Sequence, residues 1–270
     1  MLDALSLPIF QRALVAALLI GFANGYTSAF VLLNRSPLKL TALSHSLLPG
    51  IAMATWLVGL GVVSAFVGSV ITAIVIGLVT LLVAGRTKIS ADTTLAVFYT
   101  GAFALGVMIL NHIGQAQELE HWLFGNIQGL SDLDLWMSFG VGLVAVGTLT
   151  LFRRSILLNL FEPDVAQSLG INTRLLNYAL FALLILVLVT TLQAVGCILA
   201  IGLIVTPAAT MRCLCQSTRH LFLLSGLLGA FGCVGGLILS YLVDLPAGAS
   251  IVVTQSSLFL MAVIWKALRG

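Results

Sequence analysis

Nine apolar stretches take up nearly the whole chain, and no polar segment between them is long enough to fold into a separate soluble domain. They run near 9–33, 41–60, 62–84, 92–112, 133–152, 175–195, 196–214, 220–243 and 249–268. Each approaches the ~20 residues that a helix needs to cross about 30 Å of hydrocarbon. The break at Gly196 is soft, so the sixth and seventh stretches also read as one kinked unit, and the expected count is eight or nine spans. Only 8% of residues are charged and the mean hydropathy is +1.16, whereas a soluble domain carries about 25% charged residues. Lipid is therefore the solvent for most of the surface. The expected fold is an all-α integral membrane protein, a polytopic bundle forming one domain over 1–270. The start, MLDALSLPIFQR, has no basic n-region and no A-x-A-like site follows, so the first stretch reads as a retained span rather than a signal peptide.

Charge then sets an expected orientation. If nine spans alternate, eleven basic residues fall on one side: Arg35, Lys39, Arg86, Lys88, Arg153, Arg154, Arg174, Arg212, Arg219, Lys266 and Arg269. Arg12 falls on the other, with Asp3, Glu118, Glu120, Asp132, Asp134 and Asp244. The positive-inside rule places the basic side in the cytoplasm, so the N-terminus is expected outside and the C-terminus inside. The basic residues are scattered rather than clustered, which argues against nucleic acid as a partner.

No Asp, Glu, Lys or Arg lies mid-span. Proton-coupled carriers need an intramembrane group that binds and releases the proton, and of the four histidines only His45 sits clearly within a span. The phosphate-binding pattern G-x-x-x-x-G-K-[ST] is also absent. Something other than this chain's own residues must supply the work.

Three segments carry more than apolarity. Span two opens TALSHSLLPG, where Thr41, His45 and Pro49 recur at four-residue spacing on one helix face. A neutral imidazole is a common transition-metal ligand. The bland alternative is a core histidine bonded to a neighbouring helix. Pro49, followed by Gly50, leaves a carbonyl one turn back without its donor and kinks the helix. The connection 153–174, RRSILLNLFEPDVAQSLGINTR, reads as a short amphipathic helix. Pro163 suits its first turn, Glu162 and Asp164 suit its positive end, and Gly170 stops it. It either lies on the membrane or docks a cytoplasmic partner. The stretch LQAVGCILAIGLIVTPAAT carries Pro207 inside an apolar run, and Gly226, Gly229, Gly232, Gly235 and Gly236 recur through the next span as close-packing positions. Cys197, Cys213, Cys215 and Cys233 read as small buried apolar residues, since two thiols at C-x-C spacing are a weak metal signal. Glu118, Glu120, His121, Asp132 and Asp134 make the outer loop acidic, which suits a cation or a binding protein as well as plain solvation.

Taken in order, ALSHSLLPGIA at 42–52, DTTLAVFYTGAFALGVMIL at 92–110, LFGNIQGLSDLDL at 123–135, FEPDVAQSLGI at 161–171, LQAVGCILAIGLIVTPAAT at 192–210 and DLPAGASIVV at 244–253 give the chain a family resemblance. From about residue 28 to 266 it resembles the membrane permeases of bacterial ABC-type zinc, manganese and iron importers. The resemblance implies a type II importer fold, similar to the cobalamin importer's membrane subunit with fewer helices, in a bacterial inner membrane. It implies two permease copies around one pathway, two cytoplasmic ABC ATPase subunits that bind ATP, and an extracytoplasmic metal-binding protein. The divalent ion is then transported, and no tightly bound cofactor or covalent chemistry is expected. Within 161–171, the resemblance casts Phe161, Glu162, Pro163, Asp164, Ala166, Leu169 and Gly170 as the coupling helix that inserts into the ATPase.

One position departs from the family pattern. The family has D-A-L-S-H in span two, an aspartate four residues before the histidine, and here that residue is Thr41. A hydroxyl brings no charge to offset the desolvation of a divalent ion. A sister permease could supply the carboxylate, the substrate could be softer or of another size, or this paralogue could be structural. Outside this class, an ion-gradient carrier would transport without an ATPase. Within it, a metal-chelate importer would need a wider pathway.

Overall fold

Several helices of this chain begin where proline or a capping side chain precedes an apolar run. The computed structural model describes residues 8–59, 61–115, 117, 122–123, 125 and 127–269. Pro8 opens α1 (Pro8–Leu33), and Pro37 opens α2 (Pro37–His45). After α3 (Leu48–Val58) and α4 (Val62–Arg86), the Ser90 hydroxyl accepts the Thr93 N–H at 3.1 Å to start α5 (Ala91–His112). A capping box between Ser131 and Asp134 starts α6 (Asp132–Leu151). Two short helices follow, α7 (Arg153–Phe161) and α8 (Pro163–Ser168). Asn172 then caps α9 (Thr173–Val195) through the Leu175 N–H at 3.1 Å. The chain ends in α10 (Cys197–Leu214), α11 (Thr218–Val243) and α12 (Ala247–Arg269).

Among the described residues, eight candidates are long and apolar enough to cross a membrane, α2 and α3 together making one of them. The apolar part of α10, Leu199–Leu214, is shorter, although the full helix of 18 residues extends about 27 Å at 1.5 Å per residue. The soft break at Gly196 is a real helix end: its φ of +80° is a conformation that glycine adopts without Cβ strain.

The second stretch is where the sequence reading needs correction. A single span kinked at Pro49 was the expectation, but α2 stops at His45 and α3 begins at Leu48. Pro49 has no N–H for the His45 carbonyl, so the chain takes the cheaper solution and places proline in the first turn of a new helix. Helical spacing therefore holds from Thr41 to His45 and does not carry through to Pro49. The amphipathic segment 153–174 is likewise two helices rather than one, divided at Glu162.

Helix α1 forms the centre: 72% of its apolar window is buried, against 17% for α5 and for α6. It crosses α11 at backbone contact. A Cβ added to Gly21 would lie 2.6 Å from the Gly229 carbonyl oxygen, and one added to Gly226 would lie 2.9 Å from the Phe22 ring. Gly50 and Gly68 meet in the same manner between α3 and α4. Where lipid tails are as apolar as leucine, such close backbone approach is what holds helices together. The outward faces of α5, α6 and α12 carry Val97, Met108, Trp136, Leu143, Leu260 and Ile264, all exposed as a lipid-facing surface requires. Pro207 lies inside α10, and the Ala208 N–H beyond it is taken by the Ser28 hydroxyl of α1 at 3.1 Å.

Candidate permeation site and cytoplasmic docking surface

The interruption of span two puts His45 at a helix end inside the bundle. Its ring stacks on Tyr99 with centroids 6.1 Å apart and meets Phe103 edge-on at 5.6 Å, both from α5. Gly106, one turn further along α5, lets that helix reach the break: a Cβ there would lie 2.8 Å from the Pro49 nitrogen. The Nδ1 atom of His45 is 3.5 Å from Sγ of Cys197, the first residue of α10. Together they line a small cavity of about 10 Å³ with Ser44, Trp122 and Leu192, room for about one water-sized sphere.

Thr41 does not point its hydroxyl into this space; it donates to the Pro37 carbonyl at 3.1 Å within its own helix. No Asp or Glu is among the described residues that line the cavity. No group of three or more His, Cys, Asp and Glu assembles anywhere among the described residues. Cys213 and Cys215 are free and partly exposed. Of the acidic loop, Glu118, Glu120 and His121 lie outside the described residues, while Asp134 caps α6 and Asp132 pairs with Arg12.

Described residues between α5 and α6 flank the site: Trp122 and Leu123 line the cavity. Trp122 and Ile127 are buried, and Gly125, at φ +67°, packs against the backbone of Val195 and Gly196. The second break, at Gly196, is thus roofed by the same segment that lines the His45 cavity.

Toward the other end of α2 a wider cavity of about 290 Å³ opens between α2, α4, α5 and α9. Lys39 and Asp92 face each other across it at 3.3 Å. Asn177 belongs to its lining and accepts a 2.7 Å hydrogen bond from Asn159 of α7, so the cavity wall is tied to the α7–α8 hairpin. On that hairpin Phe161, Glu162, Pro163, Asp164 and Leu169 are exposed. Ala166 is fully buried and roots the turn, and Gly170 closes it at φ +80° with the Ile171 N–H returning to the Ala166 carbonyl. An exposed phenylalanine and leucine flanked by two carboxylates form a compact surface suited to a groove on another protein.

Sequence reasoning read Cys197 as a small apolar residue and used Lys39 only for orientation, without pairing it with Asp92. Local pattern holds no signal for the first, because 152 positions separate it from His45. The ion pair had one: opposite charges at the starts of the second and fourth predicted spans, which alternation puts on the same side.

The ABC 3 transport family matches residues 6–266. The chain is similar to the manganese transport system membrane protein MntC of Halalkalibacterium halodurans, at 35% identity over 98% of this chain and 90% of that one. It is also similar to the chelated iron transport system membrane protein YfeD of Yersinia pestis, at 31% identity over 97% and 87%. Among solved structures, PsaBC from Streptococcus pneumoniae in complex with Fab superposes with a TM-score of 0.88 at 31% identity, over 97% of this chain and 93% of that one.

Proposed function

The chain belongs to the ABC 3 transport family, and from that premise we propose that it is the permease subunit of an ATP-binding cassette importer that moves a divalent transition-metal ion into the cytoplasm. The observation that carries this reading is His45, an imidazole exposed to an ion-sized cavity at the point where a membrane-spanning helix is interrupted. Broken helices at membrane depth occur where the backbone is buried in protein or lines a cavity rather than lipid, and in transporters they form substrate sites. The relatives, named for manganese and chelated iron transport over nearly the same length, support the substrate class.

In this reading the α7–α8 hairpin seats in a cytoplasmic ATPase, a second permease copy completes the pathway, and a metal-binding protein delivers the ion from outside. ATP-driven movement of the hairpin reaches the 290 Å³ cavity through Asn159 and Asn177, while Trp122 and Leu123 line the outer side of the His45 cavity. The ends of α2 and α5 that carry Lys39 and Asp92 then face the cytoplasm, and Arg12 with Asp132 faces out, so the N-terminus is extracytoplasmic and the C-terminus cytoplasmic. At about 10 Å³ the cavity beside His45 is too small for a chelate, which favours the bare ion over a metal complex.

The test is metal uptake in cells that express the permease with its ATPase and binding protein. Uptake is expected to fall to background both in His45→Ala and when the ATPase phosphate-binding lysine is replaced. ATP-independent uptake would refute the importer. ATP-driven uptake indifferent to His45 would move the ion path elsewhere.

A further inference from the structure

We infer that Cys197 is a ligand to the ion in transit, forming with His45 a nitrogen–sulfur pair that favours a borderline-soft divalent cation such as zinc or iron(II) over manganese. The inference rests on the permeation reading above and specifies its substrate class.

The geometry is that of a chelating pair. A metal held about 2.0–2.1 Å from an imidazole nitrogen and about 2.3 Å from a thiolate at the tetrahedral angle places the two donors roughly 3.6 Å apart. The observed Nδ1···Sγ separation is 3.5 Å. Both residues border the same 10 Å³ cavity, so the ion has space beside the pair. Each donor is also held in place: the imidazole by Tyr99 and Phe103, the sulfur by its position at the start of α10 against the Gly196 break.

Charge argues in the same direction. A divalent ion in an apolar cavity needs negative charge nearby, and the described lining contains no carboxylate. The Thr41 hydroxyl is already committed to Pro37. The remaining ionisable acid in the lining is the Cys197 thiol. On binding the metal it releases its proton to solvent, and the thiolate cancels one of the ion's two charges. Imidazole and thiolate together suit zinc and iron(II), whereas manganese is better matched by carboxylate and carbonyl oxygen. Two protein donors hold the ion weakly enough to let it go, as conduction requires.

The experiment uses the complete transporter and reads two independent signals. Cells expressing wild type, Cys197→Ser and the double variant Thr41→Asp/Cys197→Val are supplied with equimolar zinc and manganese. The zinc-to-manganese uptake ratio is expected to fall about tenfold or more in Cys197→Ser, and to invert toward manganese in the double variant. The purified transporter carrying Cys213→Ser, Cys215→Ser and Cys233→Ala, with Cys197 intact, is titrated with cadmium as a spectroscopic substitute for zinc. A thiolate-to-metal charge-transfer band is expected there and is absent once Cys197→Ser is added. An unchanged uptake ratio, or no cadmium band with Cys197 present, overturns the ligand role. The importer reading survives that outcome if uptake still requires ATP hydrolysis and His45, so the two failures are distinguishable.

Discussion

The amide N–H of Ala208 in α10 donates to the Ser28 hydroxyl of α1 across 3.1 Å, one residue beyond Pro207. Proline deprives its helix of one backbone bond and bends it, and in the membrane interior no water takes over the groups that lose partners. Here a side chain of the central helix reaches the backbone immediately beyond the proline. Replacing Ser28 with Ala removes that bond at a fully buried position, at a cost of about 1 kcal/mol. Thermal unfolding in detergent is expected to show a lower Tm for Ser28→Ala and little change for Ser64→Ala, whose hydroxyl bonds at an exposed helix start.

Gly21 and Gly229 set how closely α1 and α11 pack. Gly21→Ala forces a methyl group to within 2.6 Å of a carbonyl oxygen, and overpacking of this kind costs about 1–3 kcal/mol. Gly101→Ala on α5 meets nothing within 4 Å and serves as the matched control. Folded yield by size-exclusion chromatography is expected to drop for the first and hold for the second.

The α7–α8 hairpin separates docking from folding. Leu169 is exposed and Ala166 is fully buried. Leu169→Asp is expected to leave the monodisperse yield intact while lowering ATPase co-purification and metal-dependent ATP turnover by about tenfold, a loss of roughly 1.4 kcal/mol of contact energy. Ala166→Leu is expected to reduce folded yield itself. Equal ATPase recovery for wild type and Leu169→Asp would remove this surface from the interface.

Arg12 with Asp132 and Lys39 with Asp92 mark opposite ends of the bundle. Both pairs are largely exposed, so breaking either costs at most about 1 kcal/mol and a stability assay is expected to register almost nothing. Topology is where they are informative. In a variant lacking native cysteines, Asp132→Cys is expected to react with a membrane-impermeant maleimide in intact cells. Gly170→Cys is expected to react only after the membrane is opened. The reverse pattern would invert the orientation argued from the basic residues.

Much of this protein was legible in its sequence because lipid imposes one-dimensional rules. Span length follows from bilayer thickness, and the scarcity of charge follows from the solvent. Proline and glycine announce irregular backbone wherever they stand, so Pro49, Gly196 and Pro207 all mark the helix irregularities that the structure contains. What local pattern could not decide is how each irregularity is resolved. Proline at 49 is compatible with a kinked helix or with a break and a fresh start. The choice between them depends on Gly106 admitting α5 against the chain at that point, a neighbour 57 positions away by residue number. The pairing of His45 with Cys197 is of the same kind. Each residue is ordinary in its own segment, and only the folding of α10 against the end of α2 brings nitrogen and sulfur within reach of one ion. Sequence determined that the chain crosses the membrane and where its helices can fail. Tertiary packing alone decided which side chains meet at the failures, because contacts between distant segments leave no trace in local periodicity.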